Sequence, residues 1–166
     1  PERPKTEPLS VDEISYAESL ILHMDDAVIV LNKPAGLATQ GGPGITQHVD
    51  RLSEALKYGF EARPKLAHRL DKDTSGVLVL GRTAGAAAKL AEAFRNRDAE
   101  KIYWALLKGV PQKREGKIVM ALEKVPGPAG NKVQPVKGGK PARTLYRIVD
   151  VAGKRASWIE FQPLSG

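Results

Sequence analysis

Cysteine is absent from the 166 residues, which excludes a disulfide scaffold, a thiol nucleophile and any thiolate-held zinc or iron–sulfur centre. Histidine is nearly absent, and the three present, His23, His48 and His68, are spaced too widely for two to share one turn of helix. No metal site is therefore expected. No apolar stretch approaches the ~20 residues of a membrane-spanning helix, and nothing resembles a signal peptide. A cytoplasmic protein that makes no use of a membrane is the expectation. Acidic residues are the minority charge: 19 Asp and Glu against 26 Lys and Arg leave a net +7. That balance favours an acidic partner such as nucleic acid without naming one. At 42% hydrophobic residues, a chain of this length buries roughly 70% of the surface it would expose unfolded, so its body is not intrinsically disordered.

Residues 1–10 hold three prolines and no apolar run, and read as a tail or linker ahead of one domain over residues 11–166. Apolar runs at 19–23 and 28–32 read as strand, turn and strand, followed by a Gly- and Pro-rich stretch. A helix is expected over 46–57, with Val49, Leu52 and Leu56 on its buried face. Strands are expected at 65–71 and 77–81 around a polar loop. The helix at 83–96 has Thr83 as its N-cap and Ala87, Leu90 and Phe94 at helical spacing. Strand-like segments follow at 101–108, 117–123, 132–136, 143–151 and 156–162. Together these predict an α+β domain on a largely antiparallel mixed sheet flanked by helices. Residues 124–147 carry six basic side chains and no acidic one, among four Gly and four Pro. Two readings apply, a solvated hairpin or a basic flap in which Lys132, Lys137 and Lys140 track an RNA backbone.

The chemistry concentrates in His68-Arg69-Leu70-Asp71-Lys72-Asp73-Thr74-Ser75-Gly76. Strand periodicity puts His68 and Leu70 on one face and Arg69 and Asp71 on the other. A nearby cation keeps an aspartate ionised, and an ionised carboxylate serves as nucleophile, general base or ligand. The structural alternative is an Arg69–Asp71 ion pair. Asp71-x-Asp73-x-Ser75-Gly76 also matches the opening of a calcium loop, but Arg82 stands at the twelfth position where a bidentate Glu is needed. The same Asp71-x-Asp73 pair resembles that of aspartyl-phosphate phosphatases, although Ser75 and the polar His68 and Arg69 depart from their pattern.

The nine-residue motif resembles the signature of the RluA-type pseudouridine synthases, which isomerise selected uridines in ribosomal or transfer RNA. Three further segments resemble that family in the same order: Ile21-Leu22-His23-Met24-Asp25-Asp26 through Asn32-Lys33-Pro34-Ala35-Gly36-Leu37, then Lys101-Ile102-Tyr103-Trp104-Ala105-Leu106-Leu107-Lys108-Gly109, then Gly139-Lys140-Pro141-Ala142-Arg143-Thr144-Leu145-Tyr146. The resemblance implies a pseudouridine synthase-like fold with a central catalytic cleft, an RNA substrate and no cofactor. It places the catalytic aspartate at Asp71 and the active-site tyrosine at Tyr103, which would stack on the flipped uracil. Arg69 would fill the gap left in the RNA, and Lys33 would reach a phosphate. His68 reads as structural. In the family, a segment like Gln162-Pro163-Leu164-Ser165-Gly166 runs into an Arg-Thr-His-Gln motif whose arginine pairs with the aspartate. The sequence stops at Gly166, so a C-terminally truncated catalytic domain is expected, inactive by itself and with apolar edges exposed around Trp158, Ile159 and Phe161. An RNA-binding fragment without catalysis is the alternative.

Overall fold

The computed structural model describes residues 7–96, 98–126 and 132–165. Most of the expected tail and the middle of the basic segment lie outside the described residues. The chain divides between Asp98 and Ala99 into two compact units, each of α+β or β character, and every strand ladder in both is antiparallel.

The first unit opens with helix α1, Val11–Ser19, which the apolar pattern does not reveal. Its start is a capping box: the Ser10 hydroxyl accepts from the Glu13 amide at 3.2 Å and the Glu13 carboxylate accepts from the Ser10 amide at 2.9 Å. The Ser10-x-x-Glu13 spacing was the available signal. Strands β1, Ile21–Met24, and β2, Val28–Lys33, form a hairpin. At its turn the Asp25 carboxylate accepts from the amides of Ala27 and Val28, both at 2.8 Å. With β3, Lys65–Leu66, and β4, Gly76–Gly81, they make a sheet in the order β1-β2-β4-β3.

Ile29 and Leu31 of β2 lie opposite Leu80 and Leu78 of β4, and all four are buried. They form the centre of the core, where each such side chain contributes about 1.5–3 kcal/mol by leaving water. The expected helix over 46–57 is shorter and broken. It comprises α2, Val49–Leu52, and a single 3-10 turn, Ser53–Leu56. His48 caps α2 through its ring Nδ1, which accepts from the Arg51 amide at 3.1 Å. Val49, Leu52 and Leu56 are buried as expected. Helix α3, Ala84–Asn96, packs on β4. It is capped by Thr83, whose hydroxyl accepts from the Ala86 amide at 3.1 Å. Gly81 permits that packing, because a Cβ there would overlap the main chain of Ala87.

The second unit is one five-stranded sheet: β5, Tyr103–Lys108; β6, Glu115–Val125; β7, Lys132–Pro135; β8, Lys140–Ala152; and β9, Ala156–Pro163. Their spatial order is β5-β9-β8-β6-β7. The expected open edge at β9 does not exist, since β9 is paired on both sides. Ile159 is buried against the row that includes Ile148, and Phe161 is half-buried. Trp158 is exposed, on the face that also carries Trp104, and the two rings meet edge to face at 5.1 Å.

Candidate active site

The expected strand over 65–71 ends at Leu66, and residues 67–75 form an irregular loop into β4. Tertiary hydrogen bonds override the strand pattern. The buried Thr39 hydroxyl donates to the Leu70 carbonyl at 2.5 Å and accepts from the Leu70 amide at 3.2 Å, so both main-chain groups of Leu70 are taken by one side chain. Two residues on, the Lys72 carbonyl accepts from the Gly36 amide at 2.8 Å and from the Lys33 ammonium at 3.1 Å. Asp71 lies between these two anchors. The Thr74 amide then closes a turn on the Asp71 carbonyl at 3.1 Å. Gly76, with φ at 129°, leaves the loop in a conformation that a side chain would strain.

Leu70 is buried while Arg69 and Asp71 are exposed on either side of it. The side-chain alternation expected from the sequence therefore survives without the strand. Among the described residues neither Arg69 nor Asp71 forms an ion pair. The structural alternative for this pair, a salt bridge holding the loop, is not realised. His68 takes the structural role expected of it: its Nε2 accepts from the Val79 amide at 3.0 Å, and its ring stacks on Phe94 with centroids 4.1 Å apart. A ring that accepts at Nε2 is the neutral tautomer protonated at Nδ1.

Lys33 corrects the sequence reading. Expected at an RNA phosphate, it is fully buried, and its ammonium donates to the carbonyls of Pro34 at 2.9 Å, Leu37 at 2.7 Å and Lys72 at 3.1 Å. Three donors meet three acceptors, which is what an ammonium out of water requires. Burial holds its pKa below the ordinary lysine value, against the opposing pull of the negative charges on Asp73 and Asp71. The residue ties the 33–37 turn to the loop that carries Asp71. Thr39, its counterpart on the other side of Asp71, sits in a Gly-rich stretch where no local pattern marks it.

The other candidates belong to the second unit. Tyr103 begins β5, half-buried, and pairs across to Phe161, which in turn lies opposite Tyr146 of β8. Directly opposed residues share a sheet face, so three aromatic side chains line up across three adjacent strands. Lys132 on β7, Lys140 on β8 and Lys137 in the turn between them are all exposed. Among the described residues no group of His, Asp and Glu is arranged to hold a metal ion, and no helix is long and apolar enough to cross a membrane.

Comparison with known proteins gives this geometry its context. The family model described as RNA pseudouridylate synthase matches residues 27–166. RNA pseudouridine synthase 3, mitochondrial, of Oryza sativa subsp. japonica is 36% identical over 93% of the chain and 38% of its own length. The ribosomal large subunit pseudouridine synthase C of Rickettsia bellii is 38% identical over 93% of the chain and 52% of its own length. Among solved structures, human RNA pseudouridylate synthase domain containing 4 superposes with a TM-score of 0.76 at 27% identity, covering 93% of the chain and 64% of that structure. The chain thus spans about two-fifths to one-half of these two curated relatives. The matched stretch takes in the loop that presents Asp71, the buried Lys33 tie beneath it and the strand that begins with Tyr103, and on that match the chain belongs to the RNA pseudouridylate synthase family.

Proposed function

We propose that the protein containing this chain converts uridine to pseudouridine in RNA, with ribosomal RNA as the substrate and Asp71 as the catalytic carboxylate. The observation that carries this reading is the placement of Asp71. Its side chain is exposed and, among the described residues, without an ion pair, while the main chain of both its neighbours is held from the 33–39 segment. Main-chain anchors on both sides of Asp71 fix where the loop presents its carboxylate. The name of the Rickettsia relative supports ribosomal RNA.

The reaction breaks the N1–C1′ and C5–H bonds of uridine and forms C5–C1′ and N1–H bonds on the same nucleotide, so it needs no redox partner. A stacked base hides those atoms, and extruding it costs a few kcal/mol. Asp71 acts on the extruded nucleotide, at C1′ of the sugar or C6 of the base. Tyr103 supplies a ring for the uracil to stack on, and the Arg69 guanidinium occupies the space the base leaves. Lys132, Lys137 and Lys140 contact phosphates. The 166 residues alone are inactive in this reading, since a carboxylate that must hold its charge as water is excluded needs an opposing cation, and Asp71 lacks an ion-paired one among the described residues.

Replacing Asp71 by Asn in the complete protein tests the proposal. The volume is kept and the nucleophilic charge removed, so pseudouridine formation in unmodified ribosomal RNA should vanish while RNA binding persists. Turnover within about tenfold of the parent would overturn the assignment.

A further inference from the structure

In the first unit, a cavity of about 310 Å³ is lined by Tyr16, Gln47, Lys72 and the segments 35–38 and 44–46. Its size falls at the lower end of small-ligand sites, room for one nucleotide rather than a helix. The walls are fixed. The Gly36 amide is bonded to Lys72, the Leu37 carbonyl to Lys33, the Ala38 carbonyl to the Val49 amide, and the Ile45 amide to the Gly42 carbonyl. These four main-chain groups are already committed, and the exposed side chains of Gln47 and Lys72 are available to meet a ligand.

From this arrangement we infer that the cavity holds a nucleotide flanking the target uridine, with Lys72 on its phosphate and Gln47 reading its base. The inference rests on the proposed function, because it takes Asp71 as the reacting group. Lys72, which lines the cavity, directly follows Asp71 in the chain, so the cavity wall and the proposed reacting group share one loop. A planar amide offers one donor and one acceptor side by side, the pattern that distinguishes a base edge, and Tyr16 supplies an aromatic ring. The nearby Lys33 cannot supply the phosphate contact, since its ammonium is buried and fully used.

The test uses the complete protein and short RNAs that differ only in the bases on either side of the target. The parent should prefer one base at a flanking position by about tenfold in kcat/KM. Gln47→Ala should flatten that preference while Lys72→Gln raises KM for every RNA in the set. Circular dichroism and melting would confirm that both variants fold. A parent that shows no flanking preference, or a Gln47→Ala protein that keeps the full preference, would overturn the subsite while leaving the proposed function standing. Absence of pseudouridine from all the RNAs and from ribosomal RNA would overturn the proposed function and this inference with it.

Discussion

The Lys33 ammonium reaches across 39 residues of sequence to the Lys72 carbonyl, at 3.1 Å, and has no contact with solvent. A charge kept there acts as a tie, and its removal should be felt in stability. Lys33→Met keeps most of the aliphatic stem and takes a donor from three carbonyls, of which, among the described residues, only that of Lys72 keeps another, the Gly36 amide, so unfolding free energy should fall by about 2–4 kcal/mol in urea titration. The salt dependence of RNA binding should not change. A slope smaller by roughly 0.7 would return Lys33 to the phosphate-contacting residues.

Thr39→Val removes the two-way hydrogen bond to Leu70 at nearly constant volume. Two main-chain groups then lose their partner, at about 1–3 kcal/mol each when buried. Melting should drop, and kcat should fall more than KM rises, because the anchor of Asp71 is loosened and nothing that touches RNA is deleted. Unchanged kcat would separate the Thr39 bond from the reacting geometry.

Acid should loosen α1 before the core. The hydrogen bond and ion pair with Arg51, and the capping bond from the Ser10 amide, hold the Glu13 carboxyl below its ordinary pKa of 4.5. A carboxylate depressed in the folded state contributes stability that is complete above the unfolded value and is lost as pH falls through the folded one. Stability should therefore decline from about pH 4.5 downward. Glu13→Gln should flatten that part of the profile, and hydrogen exchange should locate the early opening in Val11–Ser19. An unaltered acid limb in the variant would assign the decline to other carboxylates.

Changing Lys132, Lys137 and Lys140 together to Gln should weaken RNA binding and reduce the salt slope by roughly 0.7 for each lost contact. A slope equal to the parent's would make these lysines a solvated surface.

Elements with strong local signals were legible: α3 with its Thr83 cap, the β1–β2 hairpin and the strands of the second unit lie within a few residues of expectation. Helix α1 has too sparse an apolar face to show in the hydrophobic pattern, although its capping box stands in the sequence. Strand β3 is shorter than its pattern suggests, since Leu70 alternates like a strand residue while its main chain is bonded to a threonine 31 residues away. No local window contains that information. The motif points to Asp71 and Arg69, which the structure leaves exposed, and to a structural His68, whereas the burial of Lys33 departs from the sequence reading for a reason the sequence does contain. Period-two alternation from Ile29 through Leu31 points Lys33 into the core. Its charge suggested solvent, and the three carbonyl acceptors that make burial possible come from the turn that follows and from Lys72.

The strand order of the second unit also constrains how it is made on the ribosome. Strand β5 has β9 as its neighbour, and β9 is the last of the five in sequence. The β6–β7 and β6–β8 ladders can zip as their residues emerge. Tyr103–Lys108, translated first, must wait without a pairing partner until Ala156–Pro163 clears the exit tunnel. At ~5–20 residues per second that wait lasts a few seconds, during which an exposed strand with Trp104 and Leu106 is open to wrong pairing. Closure of the sheet is thus a late, long-range event, slow relative to the local hairpins of the first unit.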